Sequence, residues 1–230
     1  MENYTQEQVD EMCTMHEAWL KDRSAGKRAD FSGASLRGLV LEGRCLREAN
    51  FKNADLTGAF LRSADFSHAN FEGADLTFVR ASHAKFNDCM ADHACFAEAR
   101  LTGSYFEGAS LQGASFREAH LNFVSFKEAN LWRADFVDAV TGGVSFAGAN
   151  MEFAAFNSGI AGDSYDDKQI AEFAYSLCSA VLGSRTNSSE VKETIRKILS
   201  LANRANSVKV FGPVQENIRG KYFTAKEKAE

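Results

Sequence analysis

The sequence predicts a mainly β solenoid over residues 29–158. An N-terminal capping helix is expected within 1–28, a C-terminal helical hairpin over 159–205 and a tail over 206–230. Three observations carry this expectation. From Ala29 the chain keeps a strict period of five, reading ADFSG, ASLRG, LVLEG, RCLRE, ANFKN, ADLTG and so on to Ala154–Ser158, which is 130 residues or 26 pentads. The third position is Leu, Phe or Met in 23 pentads and the first is Ala in 19. Pro occurs once in 230 residues.

A period of five is neither helical nor that of a simple strand, which need apolar residues every 3.6 or every 2 residues. A chain that turns a corner after each fifth residue satisfies it. Positions one and three then point inward, and the remaining three face water with their Asp, Asn, Ser, Thr, Arg and Glu. Gly recurs at the fifth position (Gly33, Gly38, Gly43, Gly58, Gly73, Gly103, Gly108 and Gly113), as a corner with positive φ would favour. Scarce Pro fits stacked coils, since Pro has no N–H to give a neighbouring strand.

The repeat strongly resembles that of the pentapeptide-repeat family and covers about 57 % of the chain. The resemblance implies a right-handed quadrilateral β-helix with four pentads to the coil. On that basis there are about 6.5 coils, and at ~4.8 Å between paired strands the rod is roughly 31 Å long. Residues twenty apart then stack, which puts Phe66, Phe86, Phe106, Phe126 and Phe146 in one interior ladder and Phe96, Phe116, Phe136 and Phe156 in another.

The exceptions to the pattern largely compensate. Where the third position shrinks to Ala81 the first swells to Val79; at Ala91 the first is Cys89; Thr141 is followed by Val144. Near-constant interior volume is what close packing requires. Cys89 is therefore read as core. With Asp92, His93 and Cys95 it loosely resembles a metal site, but His93 and Cys95 are expected on the outside, so no metal is assigned.

A solenoid must cover its terminal strands. Thr5 and Gln8 make a capping box, and Val9, Met12, Cys13, His16, Trp19 and Leu20 form one face of the expected helix. After Ser158, Ile170, Phe173, Ala174, Leu177, Cys178 and Val181 line a second helix. Val191, Ile195, Ile198, Leu199 and Ala202 line a third. This hairpin is expected to pack on the last coil, on a second subunit or on both. Trp132 and Phe153, outward at that end, are expected beneath it.

Composition narrows the function. Five scattered Cys suggest free thiols and a reducing compartment, here cytoplasmic. No apolar run spans a membrane, and a net charge of −5 disfavours a general nucleic-acid binder. No nucleophile elbow, phosphate loop or His-Glu metal motif is present, so neither catalytic nor cofactor-binding residues are assigned.

The outer walls offer two contrasting surfaces. One carries Asp55, Asp75, Glu98, Glu118, Asp135 and Asp138 against Arg37 and Arg117. Another presents Phe60, Arg62, Arg80, His83, Arg100, His120 and Phe123 with only Glu42 opposing. Interleaved Arg and aromatic residues mark interfaces, and this second wall is the candidate interaction surface. The leading reading is a non-enzymatic scaffold that binds a protein partner. An alternative, implied by the resemblance, is a DNA mimic that protects or inhibits DNA gyrase, a type II topoisomerase, and dimerises through its C-terminal helices. This chain lacks the loop insertions that many quinolone-protecting members carry. A third reading has the Arg80–Arg100 wall binding nucleic acid.

Overall fold

The computed structural model describes residues 2–155. A short strand β1 (Glu2–Asn3) leads into helix α1 (Gln6–Lys21), and the solenoid begins at Ala29. The hairpin over 159–205 and the tail over 206–230 lie outside the described residues, as does Phe156.

Each pentad closes on itself and bonds to two neighbouring coils. In the first, Ala34 N–H donates to Phe31 O at 3.0 Å, forming the corner turn. Phe31 N–H donates to Asn50 O (2.7 Å) and Gly33 N–H to Lys52 O (2.8 Å), both in the next coil. Asn50 N–H in turn donates back to Ala29 O (3.1 Å). Repetition gives a continuous series of parallel bridges between residues twenty apart, from Asp30↔Asn50 to Asp135↔Ala155. Four pentads therefore make each coil.

The interior is what the period demands. Phe, Leu and Ala of positions three and one are buried along its length. Phe66, Phe86, Phe106, Phe126 and Phe146 stack at centroid distances of 4.7–5.5 Å. Phe96, Phe116 and Phe136 form a second stack, and Phe31, Phe51 and Phe71 a third. Rings of adjacent stacks meet edge to face, as Phe106 and Phe116 do at 5.9 Å, a favoured arrangement for aromatic quadrupoles. Val79 with Ala81, Cys89 with Ala91 and Val144 with Thr141 are all buried.

All described fifth positions have positive φ: ten are Gly, and fifteen are not, from Glu48 (φ 63°) to Phe153 (φ 61°). Positive φ alone thus does not select Gly. At Gly73, Gly103, Gly108, Gly113 and Gly143 the second factor is space, whereas a Cβ on Gly33, Gly38, Gly43 or Gly58 would meet nothing within 4 Å. Corner side chains lean over the corner of the following coil, and a Cβ built on Gly103 would lie 2.7 Å from His83 Nδ1. Gly143 likewise sits beneath the ring of Phe123, at 2.8 Å from Cδ1. Asn53 over Gly73, Asp88 over Gly108 and His93 over Gly113 repeat the relation.

Asp and Asn at the second position are also structural. Asp55, Asp75 and Asp135 accept the N–H two residues on at 2.9 Å, from Thr57, Thr77 and Val137. Asn50, Asn70, Asn130 and Asn150 do likewise. These local bonds pre-form the turn.

The first coil has no preceding coil to pair with, and the N-terminal segment supplies the missing partners. β1 pairs in parallel with β2 (Ala34–Ser35). Thr5 caps α1 in a complete capping box, and Val9, Cys13 and His16 are buried on the coil. Burial pushes the Cys13 thiol up to about 12. Gln6 imitates a strand residue: its Nε2 donates to Val40 O (2.9 Å) and its Oε1 accepts Val40 N–H (2.8 Å). His16 Nδ1 accepts Ala29 N–H (3.0 Å), so Nε2 carries the proton and donates to Arg47 O (2.9 Å). Asp10 meets Arg44 at 2.6 Å and completes this lid.

Candidate functional site

The wall centred on Leu41, Leu61, Ala81, Leu101, Leu121 and Thr141 departs from the rest of the solenoid. Its second positions are Val40, Phe60, Arg80, Arg100, His120 and Val140, joined in one unbroken ladder of bridges. None is Asp or Asn, so this wall forgoes the side-chain bond that forms turns elsewhere. Cations take its place, and Arg80 and Arg100 lie directly opposite each other across a bridge. Like charges in that relation destabilise a strand pair. The acidic wall holds the same relation between Asp55 and Asp75.

Five of the seven residues expected at this surface share one shallow depression. Phe60, Arg62, Arg80, His83 and Arg100 line it with Glu42 and Ser82, around a volume of about 480 Å³. The Arg80 guanidinium lies 5.0 Å from the Phe60 ring centroid, a cation–π contact. His120 is the next rung, bridged to Arg100. Phe123 stands apart on the corner over Gly143, 72 % exposed and at φ 59°. Val40, 46 % exposed, and the half-buried Val140 extend the same ladder. Sequence reading did not include them; counting along the second position would have found both.

Charge pairing separates the walls. Arg37 pairs with Asp55 (3.0 Å) and Arg117 with Asp135 (3.1 Å) on the acidic wall. Burial alone would raise the Asp55 carboxyl. Its bonds from the Thr57 hydroxyl and N–H and from Arg37 more than offset that and hold it below the usual carboxylate range. Asp55, Asp75 and Asp135 of the acidic wall are thus committed locally, to turns or to arginines. Arg62, Arg80 and Arg100, by contrast, have no carboxylate within 4.0 Å among the described residues.

Other residues singled out from the sequence lie elsewhere. Cys89 is buried in the core, where burial raises its thiol pKa. His93 is exposed at its corner over Gly113, and Cys95 Sγ lies 3.3 Å from the Thr77 hydroxyl. Trp132 and Phe153 meet edge to face at 6.1 Å, with Arg133 over the Trp132 ring at 4.3 Å. No helix among the described residues is long and apolar enough to cross a membrane.

A parallel β-solenoid with four five-residue sides and decorated walls defines a class of repeat protein whose members are typically structural or binding proteins rather than enzymes. Eight copies of the pentapeptide repeat match at residues 27–62, 45–80, 94–133 and 125–158, and the chain belongs to the pentapeptide-repeat family, whose coil is a right-handed β-helix. No curated protein sequence matches it. Among solved structures it is similar to QnrB1, a plasmid-mediated fluoroquinolone resistance protein, at 20 % identity over 56 % of this chain and 68 % of that one, with a TM-score of 0.36. It is similar to HetL, involved in heterocyst differentiation regulation in the cyanobacterium Nostoc sp. strain PCC 7120, at 23 % identity, 56 % and 70 % coverage and a TM-score of 0.31. A pentapeptide repeat protein of the Arabidopsis thaliana thylakoid lumen is 33 % identical over 49 % of this chain and 64 % of its own, with a TM-score of 0.23.

Proposed function

We propose that the chain is a non-enzymatic binding module, a rigid rod that presents the Arg80–Arg100 wall to a protein partner. The carrying observation is the ladder of arginines set beside Phe60, without carboxylate partners among the described residues. Arg and aromatic side chains together supply most interface hot spots. A wall held by bridges on both sides loses little conformational freedom when it binds.

The test is affinity capture from the source organism with the wild-type chain and with Arg80→Glu/Arg100→Glu. Both positions are exposed, so the variant is expected to fold, which circular dichroism checks. Loss of the wild-type partner supports the reading; equal capture by both baits refutes it. The DNA-mimic reading is weaker, because Asp55 and Asp135 are neutralised by arginines. A gyrase supercoiling assay with and without a quinolone tests it directly. Dimerisation through residues 159–205 is a further part of the proposal, tested by light scattering before and after deletion of 160–230. Unpaired thiols at Cys13, Cys45, Cys89 and Cys95 suit a cytoplasmic setting.

A further inference from the structure

Resting on that reading, we infer that the wall takes a linear acidic segment of its partner. The segment runs along the solenoid axis, with carboxylates over Arg80 and Arg100 and a large apolar side chain beside Phe123. Four features of the wall converge on this occupant.

The cations form a short row. Arg62 and Arg80 flank Phe60, and Arg100 is one coil further on, so the row spans two coil steps, ~10 Å at the spacing of paired strands. Two carboxylates on one side of an extended peptide are ~6.6 Å apart and fall within that row. Beyond it lies apolar surface. Phe123 is 72 % exposed at φ 59°, in a corner series shared with Gly43, Ser63, His83, Gly103 and Gly143. It is the most exposed large apolar side chain among the described residues. From Arg80 to the tip of the ring over Gly143 is three coil steps, ~14 Å, against ~13 Å between residues four apart in an extended strand.

The opposite end repels the same ligand. Glu42 closes the row, and beyond it Glu42, Asp10 and Glu17 line a second depression beside Gln6 and Arg44. Acidic residues of the partner cannot continue past Phe60, so the apolar end of the segment must point toward Phe123. Polarity is thereby fixed.

Other occupants fit less well. A second copy docked wall to wall would set Arg80 and Arg100 against the same residues, since a two-fold interface is self-complementary. A nucleic acid needs a longer run of cations than three arginines to gain from counterion release, and the chain's net charge of −5 opposes it.

The test titrates the full isotopically labelled chain with acetyl-Glu-Ser-Glu-Ser-Phe-amide, following backbone resonances. Saturable shifts are expected at Arg62, Arg80, Arg100 and Phe123. Affinity should fall at least about tenfold for the peptide with Lys in place of both Glu, and for Arg80→Glu/Arg100→Glu, because like charges then meet. Replacing the peptide Phe by Gly, or Phe123→Ala, should each weaken binding about threefold to tenfold. Equal binding of the Lys peptide, shifts on another wall, or no saturation in the low-millimolar range overturns the inference. So does tighter, salt-steep binding of single-stranded oligothymidine. The two levels separate cleanly. If Arg80→Glu/Arg100→Glu loses the captured partner while the acidic peptide fails to bind, the wall remains the interface and only the linear acidic segment is wrong. If capture survives, the binding wall itself is wrong.

Discussion

Phe106 offers the sharpest probe of the stacked interior. Its side chain is fully buried. It stacks on Phe86 at 4.7 Å and Phe126 at 5.2 Å, and meets Phe96 and Phe116 edge to face at 5.5 and 5.9 Å. Phe106→Ala removes one ring from contact with four others. Truncations of this kind cost about 3–5 kcal/mol, depending on how far the surroundings collapse. Here collapse is restricted, because the bridges Lys85↔Tyr105 and Tyr105↔Ser125 fix the coil on both sides. The upper half of that range, ~4–5 kcal/mol, is therefore expected. Phe123→Ala is the matched control, because that ring is 72 % exposed, and its cost should be about 0.5 kcal/mol or less. Chemical denaturation of the full-length variants, followed by circular dichroism and by Trp19 and Trp132 fluorescence, gives both numbers. A loss below about 1 kcal/mol for Phe106→Ala is incompatible with a well-packed interior ring.

Three further outcomes follow from the lid and the corners. Burial, with Arg28 and Arg23 nearby, lowers the His16 pKa, while its Arg47 carbonyl bond and Glu48 act the other way. With the folded pKa below the unfolded value of about 6.5, its contribution is complete above that pH and declines as pH falls toward the folded pKa. Denaturation midpoints of wild type and His16→Gln should thus converge on acidification, and a constant gap across this range would refute the assignment. Gln6→Ala should cost about 1–3 kcal/mol, since two bonds to the Val40 backbone are lost; faster amide exchange at Val40 is the specific readout. Glu118→Gly should stabilise by about 0.5–1 kcal/mol, relieving a left-handed Glu (φ 58°) at the cost of greater unfolded-chain freedom. Destabilisation in equilibrium denaturation would show that the corner carries no such strain.

The interior was legible because each pentad repeats the same choice between inside and outside. Ala29 and Phe31 announce a frame that a misreading at any one residue cannot shift. Val79 beside Ala81 was readable for the same reason, since volume is conserved locally. Gly103 and Gly143 were only half explained by their backbone: the rings of His83 and Phe123 above them belong to the preceding coil, and no local window contains both partners. The neutralisation of Asp55 by Arg37 and of Asp135 by Arg117 was hidden in the same way, each pair being eighteen residues apart in adjacent coils of one wall. Gln6 gave no signal at all. Its part as a substitute strand residue depends on Val40 having no earlier coil, which only the assembled end reveals. The basic wall could be read once residues were sorted at a spacing of twenty; its lack of counter-charges could not.

The bridging of each second-position residue to the one twenty positions on also limits how such a chain can change its length. Excising 94–113 would bring Val79 beneath Ala119 and Arg80 beneath His120 without rotating any side, leaving a shorter tube with its inside and outside intact. Excising five residues would preserve the apolar frame just as well, yet everything downstream would turn by a quarter. His120 and Phe123 would then face a different direction from Arg80. Such a protein could fold soundly and still have its surface cut in two, so recognition here is far more sensitive than folding to where a deletion ends.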